Sequence, residues 1–260
     1  MKKRHKKLIV IALAAAVIIA ALVTSYFYLA AEKGAPSYSA GNRWTWQVTR
    51  QELDPLTDNI TSTRTYSQTI EYVGDETRGG YKGGTFRLTL PDRPTQYGQI
   101  FRVTGGNEVC ELLSESFEND QKISEYIYQA PILLRKFPLR VGLRFSDAKA
   151  VSGHDNSAGV ESIDAFETRV TEVVGKETLI MPAAIDTYKL RTWGTSTGTM
   201  RTATATSRIL ITYEENLWYS ESIKEVVKSI SETTTVVVMP LATSVTKTRE
   251  ERVLSSYSVE

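Results

Sequence analysis

"RWTWQVTR" (43–50) alternates large apolar residues, Trp44, Trp46 and Val48, with polar ones. A period of two belongs to a strand with one face buried and the other wet. The same rhythm spreads outward along the chain. "GTFRLTLP" (84–91) repeats it with Phe86, Leu88 and Leu90, and "TYKLRTW" (187–193) stays close to it with Tyr188, Leu190 and Trp193. "TATATSRILITY" (202–213) and "SETTTVVVMP" (231–240) are equally strand-like, and the C-terminal "ATSVTKTREERVLSSYSVE" predicts one or two more strands. "ISEYIYQAPILLRKF" (123–137) is less regular and admits a short helix or an irregular crossing. Gly, Pro, Asn and Asp breakers part these segments. Roughly a dozen strands joined by short turns imply antiparallel pairing rather than parallel βαβ units. The expectation is an all-β domain over 43–260, built as a large curved antiparallel sheet or a flattened barrel.

Upstream, "MKKRHKKLIVIALAAAVIIAALVTSYFYLAA" (1–31) reads differently. Lys2, Lys3, Arg4, Lys6 and Lys7 precede an uncharged run from Leu8 to Ala31. As a helix that run reaches roughly 36 Å, more than the roughly 30 Å hydrocarbon core of a bilayer. Tyr26, Phe27 and Tyr28 suit the far interface. The reading is a basic cytoplasmic flank (1–7), a transmembrane signal-anchor (8–31) and a Gly/Pro/Ser tether (32–42), with the β-domain outside the cytoplasm of a single-pass membrane protein. The alternative is a cleaved signal peptide and a secreted product, although the apolar region of such peptides is usually about 7–15 residues. The chain holds 31 basic and 30 acidic residues, and beyond the flank the balance is 26 − 30 = −4. That mildly acidic body lacks the cationic field that phosphate backbones require, which argues against nucleic acid as a partner.

One segment echoes another. "EYVGDET" (71–77) matches "EVVGKET" (172–178) at an offset of 101, with Glu71, Val73, Gly74, Glu76 and Thr77 recurring. At the same offset "GNRW" (41–44) meets "GLRF" (142–145), and "TFRL" (85–88) meets "TYKL" (187–190) at 102. Two related halves, about 41–137 and 138–258, are the expectation. Gly74 and Gly175 are read as the turn residues of two hairpins, with Glu76 and Glu177 as solvated charges rather than a catalytic carboxylate pair.

Residues suited to chemistry are sparse. Cys110 is the only cysteine, so no internal disulfide forms, and "NEVCELL" reads as a core thiol rather than a nucleophile. His154 in "VSGHDNSAG" stands beside Asp155, Ser152 and Ser157, yet a metal site needs more ligands and a triad a positioned nucleophile. A solvated loop is the preferred reading. "YKGGTF" (81–86) is a hairpin turn and no P-loop, the acidic "NEVCELLSESFEND" lacks an EF-hand ladder, and Asn59 opens an N-glycosylation sequon. Trp44, Trp46, Trp193 and Trp218 are read as core fillers ahead of a ligand groove. No catalytic, cofactor-binding or metal-ligating residue is assigned, no cofactor is expected, and the ligand-binding residues are unknown.

The second half carries a family resemblance. "FPLRVGLRF" (137–145), "VVGKETLIMPAAIDTYKL" (173–190) and "LWYSESIKEVVKS" (217–229) resemble the serial landmarks of an uncharacterised family of exported microbial β-rich proteins. Pro138, Leu139, Gly142, Gly175, Glu177, Pro182, Ala183, Trp218 and Tyr219 agree with its pattern. Ala184 replaces its usual Gly, Ile185 its common aromatic, and "SESIKE" lacks its Pro and Gly. The resemblance spans 137–230 and implies export and an outline similar to the lipoprotein carriers LolA and LolB, whose half-barrel wraps an apolar groove. It transfers no catalytic residue. Function is accordingly expected to be non-catalytic: binding of an apolar ligand or lipid in a concave face, or else a structural or protein-interaction module of the cell envelope with a filled core.

Overall fold

The computed structural model describes residues 34–181, 183–239 and 242–259. The expected basic flank, the signal-anchor and the first two tether residues lie outside the described residues. Among those described, no helix is long and apolar enough to cross a membrane.

The alternation of 43–50 is realised in β1 (Arg43–Leu53), where Trp44, Trp46 and Val48 are buried. The chain continues through β2 (Ile60–Arg78), β3 (Tyr81–Thr89), β4 (Gln96–Gly105), β5 (Glu108–Glu118), β6 (Gln121–Lys136), β7 (Arg144–Asp155), β8 (Val160–Ile180), β9 (Ala184–Thr202), β10 (Thr206–Ser220), β11 (Glu225–Val238) and β12 (Thr243–Ser258). Each strand pairs antiparallel with its sequence neighbours, and β12 returns to pair with β1 along Arg43–Leu53, which closes the sheet into a barrel. The barrel expectation holds, while the half-barrel alternative is corrected: closure leaves no open concave face and no free terminal edge. The uncertain 123–137 segment is strand β6. Its crossing is irregular, because Glu111 and Leu113 of β5 oppose Ile132 and Ile127, so β6 spends three extra residues there. Pro131, with no N–H to give a ladder, sits inside that excursion.

Inside and outside differ in chemistry. Opposite Trp46, Val48 and Arg50, β12 turns Leu254, Arg252 and Glu250 inward. Outward positions carry Arg43, Gln47, Lys247, Arg249 and Glu251. Ion pairs such as Arg43–Glu71 (2.7 Å) and Arg191–Glu214 (2.8 Å) lie on that wet surface. A barrel spanning a bilayer needs an outward apolar band about 25 Å tall; these strands present charge instead.

Two corrections concern short segments. Gly74 and Gly175 are not turn residues: each sits at a β-bulge within a long strand, between Tyr72 and Gly74 of β2 and between Val173 and Gly175 of β8. The surrounding register agrees, since Arg43 opposes Glu71 and Arg144 opposes Glu172. The "TFRL"/"TYKL" match fares worse, because Gly74 opposes Thr85 whereas Gly175 opposes Lys189, so Lys189 rather than Thr187 is the counterpart of Thr85. The tether expectation also changes. Ala35–Glu260 forms one unit, the Ala35 N–H donates to Gly106 O, and Tyr38 packs edge-on against Trp44 (5.8 Å between ring centres) and Phe86 (5.0 Å). Residues 35–42 therefore belong to the barrel. They help fill an aromatic end of the lumen made by Trp44, Tyr72, Phe86 and Ile223.

Trp44 is fully buried and its indole N–H donates to Ile223 O at 2.9 Å. Truncating a buried Trp removes apolar burial, leaves a cavity and orphans a carbonyl. Trp44→Ala is expected to lower stability by about 3–5 kcal/mol in urea unfolding followed by fluorescence.

Candidate functional site

Next to the aromatic end the lumen turns polar. Glu225, the first residue of β11, accepts from the guanidiniums of Arg102 on β4 (2.9 Å) and Arg135 on β6 (3.1 Å), and from Val226 N at 2.9 Å. All three side chains are buried. The guanidiniums rest on aromatic faces, Arg102 over Phe86 (4.8 Å) and Arg135 over Tyr219 (4.9 Å), so the apolar end supports the charged layer above it.

Against this layer lies a cavity of about 200 Å³. Its wall carries four arginines, Arg102, Arg135, Arg169 and Arg252, and three glutamates, Glu111, Glu215 and Glu225, with Trp46, Ile70 and Leu217 as apolar surface. Arg169 is tied to Glu167 (3.0 Å), which also accepts from the hydroxyls of Tyr128 (2.7 Å) and Tyr213 (2.9 Å). Arg252 is tied to Glu250 at 2.7 Å. The side chains of Glu111 and Glu215 make no ion pair or hydrogen bond among the described residues. Both are only half-buried by surface area because they face the void, although both lie deep in the barrel. Arg102 Nε is buried with no hydrogen-bond partner among the described residues.

The electrostatics separate these carboxyls into two kinds. Burial by itself raises the Glu225 carboxyl, but Arg135 and Arg102 outweigh it and hold the group down at about 2. Burial wins at Glu111 and Glu215, whose carboxyls are pushed up although Arg102 and Arg169 oppose the rise at Glu111, and Arg252 and Arg169 at Glu215. Burial likewise pushes the Tyr38 phenol up to about 12, with Glu225 adding to it.

Between β6 and β7 the barrel has its shortest ladder, one pair shorter than the six between β3 and β4. Their ladder covers five pairs, from Ser124↔Asp155 to Tyr128↔Val151. Beyond it a side chain replaces the ladder: Asp147 Oδ2 accepts from Leu133 N at 2.9 Å.

The residues singled out from the sequence lie elsewhere. His154 is in β7 opposite Glu125, and Asp155 caps the short turn Asn156–Ala158, accepting from Ser157 Oγ and Ala158 N. The expected loop is thus a strand end plus a turn. Cys110 is half-buried in β5, and burial, with Glu108 and Asp147 nearby, pushes its thiol up to about 11, which suits an inert thiol. Glu76 and Glu177 stand on β2 and β8, six strands apart either way around the barrel, so they do not converge. Neither is merely solvated: Glu76 pairs with Arg78 (2.7 Å), and Glu177 accepts from the indole N–H of Trp218. Of the tryptophans, Trp44, Trp46 and Trp218 are buried, while Trp193 lies on the outer face between Arg144 (5.3 Å) and Arg191 (5.6 Å). Only Trp46 reaches the chamber wall. No metal-binding group of His, Cys, Asp and Glu occurs among the described residues.

The chamber residues themselves were missed. One signal was available: in "TREERVL" (248–254), Arg252 and Glu250 share the parity of Leu254 and so share its inward face.

No protein-family model and no curated protein match the chain. Two solved structures resemble it. One is a candidate exported protein with a YmcC-like fold from Bacteroides fragilis NCTC 9343, at 11% identity over 87% of this chain and 99% of that one, with a TM-score of 0.39. The other is a candidate lipoprotein from Parabacteroides distasonis ATCC 8503, at 12% identity over 85% of this chain and 96% of that one, with a TM-score of 0.32.

Two substitutions test the electrostatics with opposite signs. Glu225 lies below its ordinary value near 4.5, so its stabilisation is present above that pH and is lost as pH falls towards about 2. Glu225→Gln leaves two guanidiniums buried with a neutral partner and is expected to cost about 3–5 kcal/mol at pH 7. Glu215 is raised, so its contribution is present below about pH 4.5 and is lost as pH rises through its folded value. Glu215→Gln is expected to stabilise the protein at pH 8 and to leave it unchanged at pH 4, read from urea midpoints at both pH values.

Proposed function

We propose that the chain is a non-catalytic binding barrel of the cell envelope that takes a small polar molecule into its interior chamber. The observation that carries this reading is a cavity of about 200 Å³ walled by seven charged side chains, one of them with a buried donor lacking a partner. Interiors that serve packing alone are filled by apolar groups in close contact. A charged void retained in the middle of a barrel has the form of a ligand site, with a few placed polar groups on a partly apolar wall.

This revises the ligand expected from the sequence. An acyl chain entering here would lie against four arginines and three glutamates and offer none of them a hydrogen-bond partner. The cavity is also smaller than the roughly 300–1,000 Å³ of drug-sized ligand sites, and far short of a lipid. The β6–β7 seam, where the wall relies on Asp147, is the proposed way in. Support for the non-catalytic part is that His154 and Cys110 lie outside the chamber wall. The charged outer face supports a barrel in water, and the apolar run 8–31 with its basic flank supports anchoring to the cell membrane with the barrel outside the cytoplasm. Secretion after cleavage is the alternative processing. The second functional reading, a structural or interaction module with a filled core, draws on the close aromatic packing of Tyr38, Trp44, Tyr72 and Phe86.

Native mass spectrometry of the full chain released from detergent micelles tests the choice. The expected result is a retained mass of at most a few hundred daltons, lost in a chamber-filling Ser229→Trp variant. A retained lipid mass restores the apolar-ligand reading. An empty barrel from several expression hosts favours the filled-core module.

A further inference from the structure

Resting on the reading of residues 8–31 as a membrane anchor, we propose that the β6–β7 link, Lys136–Arg144, docks on the anionic headgroup surface of the bilayer that holds the anchor. The first ground is covalent reach. Glu32, Lys33 and Gly34 alone part the apolar run from Ala35, and the steps from Ala31 to Ala35 extend at most about 14 Å. Backbone hydrogen bonds then lead from Ala35 to the link. Ala35 N donates to Gly106 O (3.4 Å), Phe137 N donates to Asn107 O (2.6 Å), and Gly142 N donates to Val173 O (2.8 Å). The place where the chain enters the barrel and the β6–β7 link therefore belong to one end of it.

The link is held firmly and presents a surface. Phe137 and Leu139 are buried with Val109, Val173 and Tyr219, which fixes its backbone. Around them Lys136, Arg140, Val141, Gly142 and Arg144 are exposed, and Val141 stands 58% in the open. Val174, next to the residue that Gly142 bonds, is exposed as well. From 136 to 144 the chain carries Lys136, Arg140 and Arg144 and no acid. The acids that face it are Glu108, 3.7 Å from Lys136, and Glu172, opposite Arg144, so bases are in excess here on a body that is acidic as a whole. Bases around an exposed aliphatic group match a lipid surface, where the aliphatic enters the interface and the bases meet phosphate. The opposite end supplies the contrast. Leu56 is 93% exposed in the β1–β2 loop, but "DPLTDN" (54–59) surrounds it with Asp54 and Asp58 and no base of its own. It lies beyond the far end of β1, whose 11 residues span roughly 35 Å.

The test uses the full chain in vesicles of phosphatidylcholine and phosphatidylglycerol. The dye NBD is attached through Val141→Cys or Leu56→Cys, and lipid with a nitroxide near its headgroup is the quencher. Both substitutions fall at exposed positions, and the parent, whose half-buried Cys110 thiol is pushed up to about 11, gives the labelling background. Groups docked on a bilayer sit roughly 5–10 Å into the interface, so the nitroxide is expected to quench the dye at 141 about threefold more than the dye at 56. Exchanging phosphatidylglycerol for phosphatidylcholine is expected to reduce the quenching at 141. Flotation of the vesicles in alkaline carbonate reads the anchor separately. A chain that floats with the vesicles, yet is quenched no more at 141 than at 56, overturns the docking and leaves the anchor standing. A chain left behind by the vesicles removes the anchor and the docking together. Quenching at 141 that is undiminished without phosphatidylglycerol overturns the anionic surface as the partner.

Discussion

Glu225 between Arg102 and Arg135 joins β11 to β4 and β6, each five strands away around the barrel. Closing twelve strands makes such a link necessary. With strands about 4.8 Å apart and tilted about 40°, the barrel is roughly 24 Å across, whereas eight strands already leave an interior that side chains just fill. Aliphatic side chains from facing walls do not meet over that span. The chain answers with aromatics at one end and with long arginine and glutamate side chains in the middle. The long polar side chains reach across the lumen, and the aromatic layer keeps them in place through Phe86 and Tyr219.

That answer has an energetic consequence. Burying ions costs several kcal/mol each, and an ion pair in the interior at best recovers that cost when its hydrogen bonds are complete. At Glu225 they are nearly so, with two guanidiniums and one backbone N–H around the carboxylate. Around Glu111 and Glu215 they are not, and these groups respond by moving towards the neutral form. The lumen thus contains one satisfied cluster and one unsatisfied face. The satisfied cluster gives the barrel its cross-brace. The unsatisfied carboxyls face the chamber that is the proposed ligand site.

The strands were legible in the sequence because their signal is local. Trp44, Trp46 and Val48 define an inward parity without reference to any other part of the chain, and the pairing of neighbours follows from short turns. Closure was not legible, since it depends on β12 meeting β1 some two hundred residues away, and no local pattern records that meeting. Gly74 and Gly175 were misread because a glycine after a strand-like run marks a turn and a bulge alike. Tyr38 was lost in a Gly/Pro/Ser stretch whose composition resembles a linker. The chamber failed for a different reason: Arg102, Arg135 and Glu225 look like the wet face of any amphipathic strand, and hydrophobic parity counts inward charge as outward. The shared parity of Arg252 and Leu254 was the available exception, and it becomes informative only once the lumen is known to be wide.

The sequence echo bears on how the chamber is reached. β1 with β2, and β7 with β8, repeat one register and one bulge, which is what a duplicated six-strand half would leave behind. Two such halves close a barrel through two junctions, β12 with β1 and β6 with β7. The first is sealed by eleven residue pairs. The second has five and then relies on Asp147 reaching across to Leu133 N. If the halves are duplicates these two junctions correspond, and packing alone favours the longer ladder, because it satisfies more backbone groups. The shortfall coincides with the three extra residues that β6 spends around Pro131. It also lies between β6 and β8, whose Arg135 and Arg169 both line the chamber while β7 contributes nothing to its wall. A full ladder here would shut the charged void behind a continuous sheet. The short ladder therefore lies beside a strand that adds nothing to the chamber wall, and it is the seam where the proposed ligand would have the fewest backbone pairs to part.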